Sequence, residues 1–227
     1  NNQTNTEKPS LTGQDVSSPG LFDQFGRTFD YLRIAVNEKC NLRCIYCMPE
    51  KGVPFKPENE LLNAVEITRL VEIAASLGVK KVRFTGGEPL LRKDITELIQ
   101  AAAGTPGIRS VHLTTNGIFL KSAISELQEA GLTGVNISLD TLDPEKFKQI
   151  TRRTGLAQVM AGLDAALAAG SLSTKLNVVA MRNSNVNELN RFAELTRDRN
   201  IVVRFIELMP FDSQQIWRTG KFYGVDE

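Results

Sequence analysis

Six short β-rich runs alternate strictly with longer amphipathic stretches, and that alternation restricts the fold of this chain more than any other feature. The strand candidates are Tyr31–Val36, Lys81–Thr85, Ser110–Thr114, Gly134–Leu139, Lys175–Ala180 and Val202–Glu207. The helical patterns between them cover Ala64–Leu77, Ile95–Ala103, Ser122–Ala130, Ala157–Ala169 and Val186–Arg199. Gly78, Gly131 and Gly170 each close such a stretch, where a left-handed residue ends a helix. Strands that alternate with helices pair in parallel through right-handed crossovers.

An open doubly wound sheet and a curved partial barrel both fit that order, and the strands choose between them. Strands buried on both faces are almost wholly apolar. These alternate instead, as in Leu32-Arg33-Ile34, Val82-Arg83-Phe84, Val135-Asn136-Ile137-Ser138, Lys175-Leu176-Asn177-Val178 and Val203-Arg204-Phe205. One face of each can pack under helices. The other is polar and carries Arg33, Arg83, Lys175 and Arg204. Unpaired cations on a dry face would be prohibitively costly, whereas a concave, wet cavity that receives a multiply charged anion accommodates them. The expected fold is therefore α/β, a parallel curved sheet of six βα units, (β/α)₆. The other reading places some of these strands at an edge, with their polar side in solvent.

At 227 residues the chain has room for one large α/β domain. A net charge of +1 gives no bulk reason to expect nucleic acid or a membrane as partner, and no apolar run approaches a membrane span. Residues 1–20 read as a disordered polar tail, 21–210 as the core, and 211–227 as the start of a truncated C-terminal region. The beginning has neither an apolar signal core nor an Arg-rich amphipathic stretch, so the expected location is cytoplasmic. The first residue is Asn1 rather than Met, which leaves room for a processed leader.

All three cysteines, Cys40, Cys44 and Cys47, lie in one C-x₃-C-x₂-C run after the first strand. An odd, clustered set suits a reducing compartment and a metal site better than a disulfide framework. Thiolates at this spacing can ligate three irons of a cubane and leave the fourth iron open. The alternatives are a zinc site closed by the only histidine, His112, a purely electron-transferring cluster, or idle core cysteines. The zinc reading lacks paired ligands, and the electron-transfer reading lacks a fourth cysteine.

The run Cys40-Asn41-Leu42-Arg43-Cys44-Ile45-Tyr46-Cys47, with an aromatic before its last cysteine, resembles the signature of the radical S-adenosylmethionine (SAM) superfamily. Gly86-Gly87-Glu88-Pro89, after the second strand, resembles that superfamily's SAM-binding loop. With Arg33, Val82-Arg83-Phe84, Leu113-Thr114-Thr115-Asn116-Gly117, Asn136-Ile137-Ser138-Leu139-Asp140 and Arg204-Phe205-Ile206-Glu207-Leu208-Met209, the likeness narrows to the GTP 3′,8-cyclase family of molybdenum cofactor biosynthesis.

The resemblance implies a radical SAM partial TIM barrel that converts GTP to (8S)-3′,8-cyclo-7,8-dihydroguanosine 5′-triphosphate, a lyase reaction. By position, Cys40, Cys44 and Cys47 would hold a [4Fe–4S] cluster. Tyr46, Gly87, Ser138 and Met209 match positions that contact SAM, and Arg33, Arg83, Thr114 and Lys175 match positions that contact GTP. No residue matches a general acid or base. The resemblance further implies a flavodoxin or ferredoxin reductant and cyclic pyranopterin monophosphate synthase as recipient of the product, and it allows a homodimer. It also implies a second [4Fe–4S] cluster on C-terminal cysteines, which a chain with three cysteines in one loop cannot ligate. Asn37-Glu38-Lys39 departs from the family's threonine-led turn. Two other readings stand beside this one: a radical SAM enzyme acting on a peptide or another small molecule, and a non-catalytic metal-binding module.

Overall fold

The structure, a computed structural model, describes residues 20–209 and 219–227. The expected tail falls outside them except for Gly20, and the expected C-terminal region is described only from Thr219 onward. Strands β1 (Tyr31–Ala35), β2 (Lys81–Thr85), β3 (Ser110–Thr115), β4 (Gly134–Ser138), β5 (Ser173–Ala180) and β6 (Val202–Glu207) form one sheet in that order. Every neighbouring pair is parallel. Strand order that never reverses has no switch point, so each crossover advances the same way and the sheet curves into a partial barrel.

Helices α1 (Ala64–Ser76), α2 (Ile95–Gly104), α3 (Leu120–Glu129), α4 (Pro144–Thr151), α5 (Leu156–Ala168) and α6 (Leu189–Asp198) connect the strands. Local sequence sets their ends. Asn63 and Glu66 form a reciprocal capping box at α1. Gly78, Gly131 and Gly170 stop α1, α3 and α5 at φ of 92°, 98° and 68°, which non-glycine residues resist. The outward faces of the central strands, Val82, Phe84, Val111, Leu113, Val135, Ile137, Leu176 and Val178, are sealed under these helices. Each contributes about 1.5–3 kcal/mol of burial. Gly162 lets α5 close on the start of α3, since a Cβ there would lie 2.6 Å from the Gly117 carbonyl.

Two elements differ from the sequence expectation. Val186–Glu188 is a separate 3₁₀ turn ahead of α6. Helix α4 has no counterpart among the expected helical stretches. Its start is written in Asp143-Pro144-Glu145: Asp143 accepts from the Glu145 and Lys146 amides, and Pro144 takes the first helical position. At eight residues it is short, and only Phe147, Ile150 and Thr151 are buried, so its periodicity is faint.

Candidate active site: a cysteine loop above a cationic barrel

The cysteine loop leaves the C-terminal end of β1 and is held from three sides. On one side the Gly87 and Glu88 amides donate to the Asn37 and Lys39 carbonyls, at 2.9 and 2.7 Å. Only glycines permit this approach: a Cβ at Gly87 would lie 2.3 Å from the Lys39 carbonyl oxygen, and one at Gly86 2.5 Å from that of Asn37. On the second side, the fully buried Glu88 carboxylate accepts from Thr115 Oγ1 and the Asn116 amide, both at 2.7 Å. The side chain of Asn116 in turn donates to Asn41 Oδ1 at 2.7 Å. The third side is α4, whose last carbonyls, on Ile150 and Thr151, accept from the Ile45 and Arg43 amides at 2.9 Å. Arg152 then reaches back to the Arg43 and Met48 carbonyls.

Within that frame Cys40 and Cys44 are half-buried and Cys47 is exposed, all as free thiols. Cys40 Sγ accepts from the Leu42 amide at 3.4 Å, with Asn116 Nδ2 at 3.9 Å. Burial pushes all three thiols up, and for Cys40 and Cys44 neighbouring negative groups add to it. The loop therefore needs a bound cation to carry thiolates. Among the described residues no three His, Cys, Asp or Glu side chains converge on a single ion. Three soft donors spread along one loop suit a cubane, which takes each thiolate on a different iron. His112 lies among lumen cations rather than beside the cysteines, so the Cys₃His zinc alternative finds no support.

Tyr46, inside the loop, donates to Asp140 Oδ2 at 2.6 Å across the barrel mouth. Asp140 also accepts from the Val179 amide at 2.8 Å, and its carbonyl from Asn185 Nδ2 at 2.6 Å. Burial raises the Asp140 carboxyl to about 6 against the pull of these donors.

Below the mouth, the polar strand faces meet in the lumen. Arg33 pairs with Arg83 in register, Asn136 with Lys175, and Asn177 with Arg204. Asn136, fully buried, has one end of its amide 2.8 Å from Arg83 Nη1 and 2.7 Å from Arg204 Nη2, and both guanidinium groups are satisfied when that end is the oxygen. Arg204 Nη2 also donates to Asn177 Oδ1. The ring of Tyr31 lies under Arg83, Arg33 and Lys81, at 5.3, 5.8 and 5.8 Å. Nε of Arg83 and of Arg204 is buried without a partner. Burial and then mutual repulsion lower the affinity of Lys81 for its proton, with Arg83, Lys175 and Arg204 all contributing. Chemically, the arrangement can receive several negative charges.

A family model described as the radical SAM superfamily matches residues 34–196. The chain belongs to the radical SAM superfamily. Among relatives, GTP 3′,8-cyclase of Chlorobaculum tepidum is 52% identical over 206 residues, which cover 91% of this chain and 62% of that protein. The mitochondrial GTP 3′,8-cyclase of Arabidopsis thaliana is 49% identical and is covered to 51%, against 88% of this chain. The chain thus spans between half and two thirds of the length of these two relatives. Solved structures share the fold: methylornithine synthase at TM-score 0.62 and 15% identity (79% of this chain, 53% of that one), and Streptococcus suis SuiB bound to SAM at 0.58 and 24% (78% and 38%).

For a radical SAM chain, the expected positions fall into two groups. Cys40, Cys44, Cys47, Tyr46 and Gly87 lie together at the mouth, linked by the bonds above. Arg83, Thr114 and Lys175 line the lumen around Asn136, and Arg33 sits on the exposed edge strand β1, so the edge reading holds for that one cation. Ser138 stands in register with Asn177 one step nearer the mouth. Met209 follows β6 and is half exposed. The sequence expectation missed Lys81, Asp140 and α4. Lys81 was legible, since it lies two residues before Arg83 and so on the same strand face. Among the described residues no helix is long and apolar enough to cross a membrane.

Proposed function

We propose that the chain is the SAM-cleaving part of a GTP 3′,8-cyclase and that its lumen binds the triphosphate of GTP. The observation that carries this reading is the convergence of Arg83 and Arg204 on Asn136, with Lys175, Arg33 and Lys81 around them. A triphosphate supplies the charge and the acceptors that these groups lack, whereas a peptide substrate leaves them uncompensated. The relatives named GTP 3′,8-cyclase support the same substrate.

In this reading Cys40, Cys44 and Cys47 hold a [4Fe–4S] cluster, which together with SAM supplies the radical chemistry of the superfamily. The chain's own part is to position and exclude. Gly87, Tyr46, Ser138 and Met209 border the SAM position. With its hydroxyl engaged by Asp140, Tyr46 offers ring and backbone to that ligand. Arg33, Arg83, Thr114 and Lys175 fix the phosphates and so place the ribose beneath the cluster. A second cluster, if the reaction uses one, draws its ligands from outside the three cysteines of this loop. A flavodoxin or ferredoxin reductant, delivery of product to cyclic pyranopterin monophosphate synthase, and a homodimer belong to the same proposal. So does a cytoplasmic location, supported by three free thiols.

Equilibrium dialysis of the anaerobically reconstituted chain against GTP and SAM tests it. Lys175→Ala is expected to weaken GTP by about ten- to a hundredfold, the worth of one charged hydrogen bond, and to leave SAM unchanged. Equal loss of both ligands would assign Lys175 a structural role instead.

A further inference from the structure

We infer that His112 is a further contact for the polyphosphate and that it takes up a proton as the polyphosphate binds. The inference deepens the proposed GTP site and rests on it.

His112 stands in register with Arg83 on one side and Gly134 on the other, in the row that begins with Arg33. Its side chain therefore enters the lumen beside those two guanidinium groups. Gly134 makes room for it. A Cβ at that position would lie 2.5 Å from His112 Cε1 and 2.7 Å from Nδ1, so the imidazole occupies space that any other residue at 134 would fill. The residue is 5% exposed, and its Nδ1 is buried without a partner. A buried ring nitrogen in that condition calls for a ligand or a cost.

The surroundings identify the ligand's sign. From β1 come Tyr31 and Arg33, from β2 Lys81 and Arg83, from β5 Lys175 and from β6 Arg204. Asn136 on β4 is neutral, and Asp30, just before β1, is the one carboxylate felt by Lys81. Burial first, then Lys81, Arg83 and Lys175, hold His112 down at about 4, so the ring is neutral near pH 7. A polyphosphate in the lumen reverses the local field and brings oxygen acceptors to both ring N–H groups of an imidazolium. The proton comes from solvent, and no bond is made or broken besides N–H. Linkage then requires that affinity increase as pH falls through the titration of the bound histidine.

His112 is the only histidine of the chain. Its ring resonance is therefore assigned without ambiguity in tag-free protein. The experiment titrates that resonance against pH in the free protein, with saturating inorganic tripolyphosphate and with saturating GTP, dialysis confirming occupancy at each pH. The expected result is a pKa of about 4 without ligand and at least about one pH unit higher with either ligand, equivalent to at least about tenfold tighter binding by the protonated form. In parallel, tripolyphosphate affinity of the native chain gains at least about fivefold over that of His112→Gln between about pH 7.5 and about pH 4, the variant cancelling protonation of the phosphate itself. A pKa unmoved by bound tripolyphosphate overturns the inference and leaves the GTP reading intact. Failure of both anions to bind in dialysis overturns the GTP reading and the inference with it, and is recognised without any titration.

Discussion

Replacing Gly87 by alanine adds one methyl group where the loop after β2 touches the cysteine loop. That methyl would sit 2.3 Å from the Lys39 carbonyl oxygen, 2.5 Å from that of Glu38 and 2.7 Å from the Lys39 carbonyl carbon. Ordinary contact begins at 3.4 Å, so the two loops must part by about 1 Å. Neither can yield freely. The Lys39 carbonyl is bonded to the Glu88 amide and that of Asn37 to the Gly87 amide. Overpacking of this kind costs about 1–3 kcal/mol, and for a chain of this length each kcal/mol lowers Tm by about 2–4 °C. A separation of about 1 Å also moves the thiols relative to the SAM position, a displacement worth on the order of a hundredfold in rate. Urea unfolding of the metal-free chain reads the stability cost, and iron per chain after anaerobic reconstitution together with SAM binding by dialysis reads the displacement of the thiols. Gly104→Ala is the control, because nothing lies within 4 Å of its Cβ, and it is expected to be neutral or slightly stabilising. Native stability and native iron content in Gly87→Ala would refute the packing argument. Loss of SAM binding alone would show that Gly87 acts only by ligand contact.

Two further outcomes follow from the hydrogen bonds and charges. Tyr46→Phe removes a bond to a buried carboxylate and should cost about 1.5–3 kcal/mol; a double-mutant cycle with Asp140→Asn in urea is expected to be non-additive, and additivity would mean the 2.6 Å contact carries no coupling. His112, held at about 4 in the folded chain against an ordinary value of 6.5, binds fewer protons there than in the unfolded chain over that interval. Stability is therefore lost as pH falls from about 6.5 to about 4, by on the order of 3 kcal/mol, and His112→Asn should flatten that part of the profile relative to the native chain.

The sheet was legible because two periodicities survive in the residues. The switch from alternation to a 3.6-residue pattern placed six strands, and Arg33, Arg83, Lys175 and Arg204 on one strand face required a cavity. Glycines marked helix ends because left-handed φ leaves few other choices. What escaped depends on contacts far apart in sequence. Nothing local to Asp140 reports that Tyr46, 94 residues earlier, donates to it. Helix α4 buries too little to show a stripe, yet its carbonyls brace the cysteine loop, a role set by the fold rather than by its own pattern. Gly87 stands out in the sequence as part of a glycine loop, whereas its close approach to Lys39 is set by the fold.

The lumen couples binding to stability through charges that cannot move apart. Nη1 of Arg83 and Nη2 of Arg204 share one amide oxygen and so lie within about 5.5 Å of each other, a repulsion of about 3 kcal/mol at an effective dielectric near 20. Lys81, Lys175 and Arg33 add to it from neighbouring strands. On flexible loops such cations would swing into solvent. Here they project from paired strands, and the outward faces of β2 and β5, which carry Lys81, Arg83 and Lys175, are sealed in the core, so the cost persists until an anion enters. Asn136 and the ring of Tyr31 offset part of it without adding negative charge, which leaves the attraction for an anion undiminished. A polyphosphate entering this site gains both its own contacts and the release of that repulsion. Under the proposed GTP reading, that energy is realised at the phosphate end of the substrate, which does not react, and is therefore free to hold the rest of the nucleotide against the mouth.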